Sequence, residues 1–264
     1  SMFDDFKANA EGLYGAPGVY VPSRSSSSGS TYHYGEEHPH LFWFAGGAWT
    51  SHFFFDYWLH TSDEEFLRNK AIPFMLAAME FYEFILTKDD NGTYLFIPSY
   101  SPEVGPLNTS PLAINATMDI ASLKQLIRNL LILEEQGYIE TGKGGKWNEI
   151  LENLPPYKID DDGDLKEWVW PGFENDNAHR HASHLYPLFY EVDPDFLNNR
   201  ELRKAAMVAI ENRLDYRRGR NGGEMAFGLV QIGLAAAHLG EAKLAYECVD
   251  YLCNSYWSPA YTSY

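Results

Sequence analysis

The chain has 264 residues, 45% of them hydrophobic, which is enough for one large domain or two small ones with a sizeable core. Its formal net charge of −17 repels phosphate backbones and anionic lipid, so nucleic acid and membrane surfaces are poor partners. No apolar run is long enough to predict a transmembrane helix.

Ser1-Met2 reads as a cloning scar ahead of an internal start. Residues 3–13 form a short helical lead-in, and 15–41 are loop-like, with Gly15, Pro17, Gly18, Pro22 and a serine run through Ser28. The rings that follow (Tyr32, His33, Tyr34, His38 and His40) point to an ordered loop near a site. From Gly46 the pattern turns helical, with Trp49, His52, Phe53, Asp56 and Tyr57 spaced as one face. Thr61 or Ser62 is expected to cap a second helix, with Glu65 completing a capping box. That helix runs to about Leu86, and its apolar stretch from Ile72 predicts burial between two layers. Asp89-Asp90-Asn91-Gly92 is a turn, followed by an extended segment over 94–98. Thr117 is expected to cap a helix over 118–136 that Gly137 ends. A short helix at 145–153 is stopped by Pro155-Pro156, and 157–180 is irregular. Helices follow at about 199–216, 224–239 and 241–253. No β-hairpin signal stands out. The pattern is all-α, with helical hairpins packed as pairs.

Cys248 and Cys253 sit five apart on one predicted helix, do not form a metal motif, and read as two buried thiols. Four segments carry candidate chemistry. In Ser101-Pro102-Glu103-Val104-Gly105 a carboxyl group follows a proline on a loop of fixed geometry. Beside aromatic walls such a group suits general-acid work, the plain alternative being an exposed loop glutamate. The second segment holds Glu167, Trp168 and Trp170 and then His179-Arg180-His181-Ala182-Ser183-His184. Three histidines invite a metal, but Arg180 among them would repel a dication, so no metal is expected. Hydrogen bonds from Arg180 and His181 to sugar hydroxyls fit better, with helix capping as the structural alternative. In the third, Gly46-Gly47-Ala48-Trp49, small residues permit a close helix approach and Trp49 can line a pocket. The fourth, the acidic run at 160–164, lacks EF-hand spacing and reads as a solvated turn.

In this order, Tyr14-Gly15, Gly46-Gly47-Ala48-Trp49, Ser101-Pro102-Glu103, Thr117-Met118-Asp119, Leu154-Pro155-Pro156-Tyr157, Leu165-Lys166-Glu167-Trp168 and the string from His179 to Tyr186 resemble glycoside hydrolase family 95. The last string is the most specific, and the likeness covers nearly the whole chain. The resemblance implies an (α/α)6 barrel of the six-hairpin glycosidase type around a pocket for a terminal α-L-fucosyl or α-L-galactosyl unit. It implies inverting hydrolysis with no metal or other cofactor, in a periplasmic or secreted bacterial enzyme. Glu103 matches the family's general acid. Arg180 and His181 match its sugar-contacting pair, and Trp49 lines the same pocket. Asp119 belongs to its helix start and is not expected to be catalytic.

An inverting enzyme also needs a group that activates water, roughly 6.5–9.5 Å from the acid. In the family this comes from an Asn-rich segment before Tyr14 and from an Asp in a Gly-rich segment further on, and neither appears here. The expectation is therefore one helical piece of a catalytic domain over 1–264, an incomplete barrel. Residues 1–45 would supply the N-terminal segment and active-site loop, and 46–264 the hairpins. Its exposed helical faces would favour homo-oligomers. Two other readings remain: a non-catalytic carbohydrate-binding helical module, or another enzyme on the same barrel such as a phosphorylase. No Gly-rich anion cradle supports the phosphorylase.

Overall fold

The computed structural model describes residues 2–25, 27–30, 35–219 and 225–258. The sequence expectation for Tyr32, His33 and Tyr34 lies outside them. The chain divides into two compact units, residues 1–100 with 119–155, and residues 101–118 with 156–264. Both are helical, in keeping with the all-α class; the strands among the described residues are two residues long.

The first unit contains α1 (Met2–Tyr14), α2 (Ala45–Thr61), α3 (Glu64–Phe66), α4 (Ile72–Ile85), β1 (Thr87–Lys88), β2 (Tyr94–Leu95), α5 (Thr117–Glu135, from Asp119 onward) and α6 (Gly144–Asn153). The face that helix α2 turns inward is not the one marked by Trp49, His52, Phe53, Asp56 and Tyr57. It buries Ala45, Ala48, Ser51, Phe55 and Trp58, while Phe53 and Tyr57 remain exposed. Small residues decide this, because they let the backbone itself make the contact. A Cβ on Gly46 would stand 2.4 Å from the Val21 carbonyl oxygen. The close approach expected of the Gly46-Gly47-Ala48 string is therefore present.

The cap of the next helix also differs from expectation. Ser62 closes α2 in a left-handed conformation (φ 55°), and the Asp63 side chain accepts from the Phe66 amide at 2.9 Å. A π turn, Leu67–Ala71, joins α3 to α4. Pro73 has no amide to offer the carbonyl four residues before it, so a widened turn there is the expected accommodation. In α4 the side chains Ile72, Phe74, Met75, Ala78, Met79, Phe81 and Tyr82 are buried, as its apolar run predicts, with Phe84 on the open edge. The expected turn at 89–92 closes a minimal hairpin that no sequence signal announced, Thr87 pairing with Leu95. Asp89 accepts the amides of Asn91 and Thr93, and Gly92 takes φ 84°.

Asp119 is fully buried on α5 and reaches the start of α2. It accepts the Phe44 amide at 3.1 Å and the Ser99 hydroxyl at 2.7 Å. Phe44, the N-cap residue of α2, has no capping side chain, so a carboxylate from another helix supplies the missing acceptor. Burial pushes the Asp119 carboxyl up to about 7, against the lowering pull of Ser99 and the amides.

The second unit contains residues 101–118, the irregular stretch after Pro156, a 3-10 turn Ser183–Leu188, α7 (Pro194–Leu197), α8 (Arg200–Arg218), α9 (Ala226–His238) and α10 (Ala242–Ser255). Asn199 caps α8 by accepting the Leu202 amide, and Gly240 at φ 83° separates α9 from α10, which pack together. Of the two cysteines only Cys248 is buried and Cys253 is exposed. Five residues turn a helix by about 140° beyond a full circle, so the pair cannot share one face. Thr117 does not act as the expected cap: its hydroxyl donates to the Lys166 carbonyl at 2.6 Å, and its amide donates to Glu167. Phe227, Val230, Tyr246 and Val249 are exposed on α9 and α10. Among the described residues no helix is long and apolar enough to cross a membrane.

Candidate active site

Two loops of the second unit form the site. The first is a tight turn in which the Val104 amide donates to the Ser101 carbonyl at 2.8 Å. Val104 is anchored in a small core with Ala113, Ala116 and Trp168, which presents Glu103 at the turn. The second loop runs from Asn175 to Ser183. Its His181 amide donates to His179 Nδ1 at 3.1 Å, and its Arg180 carbonyl accepts from the buried Arg217 guanidinium at 2.5 Å. A Cβ on Gly228 would strike both groups, so only glycine lets α9 pass this close. The Ser183 hydroxyl donates to the Pro102 carbonyl at 2.5 Å, tying the two loops together.

The result is a cluster of three side chains from positions 77 residues apart. Arg180 Nη2 donates to Glu103 Oε2 at 2.5 Å, and His181 Nε2 lies 3.4 Å from the same oxygen. The Glu103 and Arg180 side chains keep 19% and 32% of their exposure, so a ligand can reach them. Burial, reinforced by Arg180, holds His181 below its usual range and outweighs the upward pull of Glu103. His179 is pushed down to about 3 by burial, with His181 and the arginines adding to it. Both rings are therefore neutral near pH 7, and the His181–Glu103 contact is dipolar, whereas Arg180–Glu103 is ionic.

Beneath this pair lies a second carboxylate, Glu167, with 1% of its side chain exposed. Ser101 donates to its Oε1. Its Oε2 lies 3.0 Å from Arg213 Nη2 and 2.5 Å from His184 Nδ1. Burial would raise its pKa, but His184, Arg213 and Ser101 outweigh that and hold the carboxyl at about 2. Glu167 is thus held as a carboxylate with both oxygens engaged, sealed from solvent.

Trp49 belongs to the first unit, half-buried, its ring edge-on to Trp43 with centroids 6.1 Å apart. His179 of the second loop accepts the His181 amide, and His184, just past that loop, lies against the Glu167 carboxylate. Among the described residues no group of three His, Cys, Asp or Glu side chains could hold a metal ion. In the acidic run, Asp160 accepts the amides of Asp162 and Asp164, as a turn would. Asp164, however, is buried and accepts from Asn212 at 2.8 Å, so this turn is docked at one end and not wholly solvated.

Residues 1–263 match the model of the glycosyl hydrolase family 95 catalytic domain. The chain belongs to this family. It is 30% identical over 176 residues to "Alpha-L-fucosidase 2" of Arabidopsis thaliana, a match covering 65% of this chain and 21% of that protein. It is 28% identical over 180 residues to "Probable alpha-fucosidase A" of Aspergillus niger, covering 64% and 22%. The chain thus spans about a fifth of the length of these curated relatives, which come from a plant and a fungus and not from the bacteria that the resemblance implies. A solved structure named as a kojibiose phosphorylase from human microbiome superposes with a TM-score of 0.60 at 14% identity, over 95% of this chain and 40% of that one. At that identity the likeness concerns the fold alone, and it agrees with an all-α chain built as part of an (α/α)6 barrel.

In this family 95 chain, the sequence pattern had singled out Glu103, Arg180 and His181, and the fold brings them together. Glu167 and Ser101 lie in the segments that the sequence marks but have no role assigned there, and Arg213 and Arg217 are not marked at all. A signal existed for the arginines. Arg213 and Arg217 continue the stripe of α8 formed by Leu202, Ala206, Ala209 and Ile210, and every member of that stripe is buried. A guanidinium on a buried stripe requires acceptors in the interior, and loops carrying functional side chains are where such acceptors occur.

Proposed function

We propose that this chain carries the acid side of a site that hydrolyses terminal α-L-fucosyl, or α-L-galactosyl, residues of oligosaccharides with inversion. Glu103 is the general acid that protonates the leaving oxygen. Arg180 and His181 hold the sugar's hydroxyls, and Trp49 is a further candidate sugar-contacting ring. One observation carries the reading: a partly open carboxylate on a braced loop, bonded to an arginine from the string that most resembles the family.

The ion pair has a chemical consequence. A guanidinium against Glu103 favours the carboxylate, whereas a general acid must arrive protonated. Arg180 has to leave Glu103 before the reaction, and sugar hydroxyls are the acceptors that can draw it away. Residues 1–264 forming one part of the catalytic domain, the periplasmic or secreted location, and self-association through the apolar faces of α9 and α10 belong to the same proposal.

The test is release of sugar from an α-1,2-fucosylated oligosaccharide by the full-length protein and by its Glu103→Gln variant. Proton NMR identifies the first anomer formed. β-L-Fucose as the first product, lost with Glu103→Gln, is the expected result. Binding without turnover of fucosides or L-galactosides would replace the hydrolase with a carbohydrate-binding module, and an α-anomer formed first would overturn inversion.

A further inference from the structure

We infer that Glu167 is a positioning residue of this site, its buried carboxylate setting the approach of Glu103 to Arg180. The carboxylate is tied to both loops at once. Through Oε1 it holds the Ser101 hydroxyl, two residues from Glu103 in the same tight turn. Through Oε2 it holds His184 and Arg213. Arg213 in turn donates from Nη1 to the Asp176 carbonyl at the start of the other loop, and His184 follows Ser183, whose hydroxyl reaches the Pro102 carbonyl. The main chain of Glu167 is pinned as well: its amide donates to Asn175 Oδ1 at 2.8 Å and its carbonyl accepts the Thr117 amide at 2.9 Å.

Stability alone is a weak reason for such a hub. A buried ion pair recovers little beyond its desolvation cost, and an apolar set of similar volume stabilises as well or better. A rigid network does confer fixed geometry, which matters where a reacting group must stand within a fraction of an ångström of its place.

The inference rests on the proposed function only for its kinetic readout. The decisive variant is Ser101→Ala, which cuts the tie between Glu167 and the Glu103 turn and leaves the pairing of Glu167 with Arg213 and His184 in place. Glu167→Gln is the stronger variant, but it disturbs that buried pairing. In the full-length protein we would measure kcat and KM for fucose release, thermal unfolding, and the titration of His181 by its ring NMR signals. For Ser101→Ala, kcat should fall about tenfold with KM changed less than about threefold, because the oriented acid acts in the transition state. The His181 midpoint should move down, because Glu103 supports its imidazolium and would stand further away. A folded Ser101→Ala protein with both kcat and the His181 titration unchanged overturns the inference. If the wild-type protein releases no sugar, the functional reading fails, and the His181 titration alone still decides whether Glu167 positions the loop.

Discussion

Two glutamate–arginine pairs sit in the same unit and have different uses. Glu103–Arg180 and Glu167–Arg213 are both contacts of an Nη2 with an Oε2, at 2.5 and 3.0 Å. They differ in access to water. The first pair keeps 19% and 32% of its side-chain exposure and the second 1% on each side. Where water enters, a partner can be exchanged at low cost, so the open pair can hand its guanidinium to a ligand. In the interior, separating the charges leaves an uncompensated ion, so the closed pair holds its shape. In the proposed reading the same chemical contact serves as a switch at the surface of the loop and as a brace beneath it.

The sharpest way to break this comparison is to neutralise each glutamate. Glu103→Gln should lower turnover by about a thousandfold or more, roughly 4 kcal/mol of transition-state stabilisation, and leave the melting temperature nearly unchanged. Glu167→Ala should act on stability as well as on turnover: urea unfolding should show a loss of about 3–5 kcal/mol, because Arg213 and His184 are left unpaired in the interior. Should Glu103→Gln unfold the protein, or Glu167→Ala leave its stability intact, the assignment of switch and brace would be inverted. Arg180→Ala should weaken binding of L-fucose by about 1.5–3 kcal/mol, read by calorimetry, as expected for lost hydrogen bonds from a charged donor.

The gentlest test is pH. Glu167 has its carboxyl lowered to about 2 from 4.5, so its contribution to stability is present above 4.5 and is lost as pH falls through about 2. Asp119 has its carboxyl raised from 3.8 to about 7, so its contribution is present below 3.8 and is lost as pH rises through about 7. Asp119→Asn should therefore flatten the stability profile between about pH 4 and 7, where the wild-type slope from this group reaches at most about 1.4 kcal/mol per pH unit. It should leave the acid limb below pH 4 unaltered. Chemical denaturation across pH measures both slopes, and a variant with the wild-type slope would mean that Asp119 keeps an ordinary carboxylate range.

Much of the helical content was legible in the sequence. Apolar periodicity and stop signals placed α1, α5, α6, α8, α9 and α10, because those signals are local. Gly137 at φ 76° and the prolines after Asn153 end their helices by backbone chemistry alone. The family strings likewise marked Glu103, Arg180 and His181 as candidates, and the fold sets these three side chains together. The inward face of α2 was not legible. Its large rings suggested one face, but the neighbouring backbone at Val21 admits only the glycine side, a fact that resides in the neighbour. The Asp119 cap on α2 and the choice of Asp63 over Ser62 were hidden for related reasons, the first set by a contact 75 residues away and the second by where α2 stops.

By itself the sequence determined the helices, the family and the types of groups at the site, all of which follow from short stretches of chain. Only the tertiary structure decided which glutamate meets water and which is sealed, because exposure depends on what α8 and the 175–183 loop place around each carboxylate. Glu103 and Glu167 are the same side chain in the sequence; their surroundings make one available for exchange and hold the other fixed.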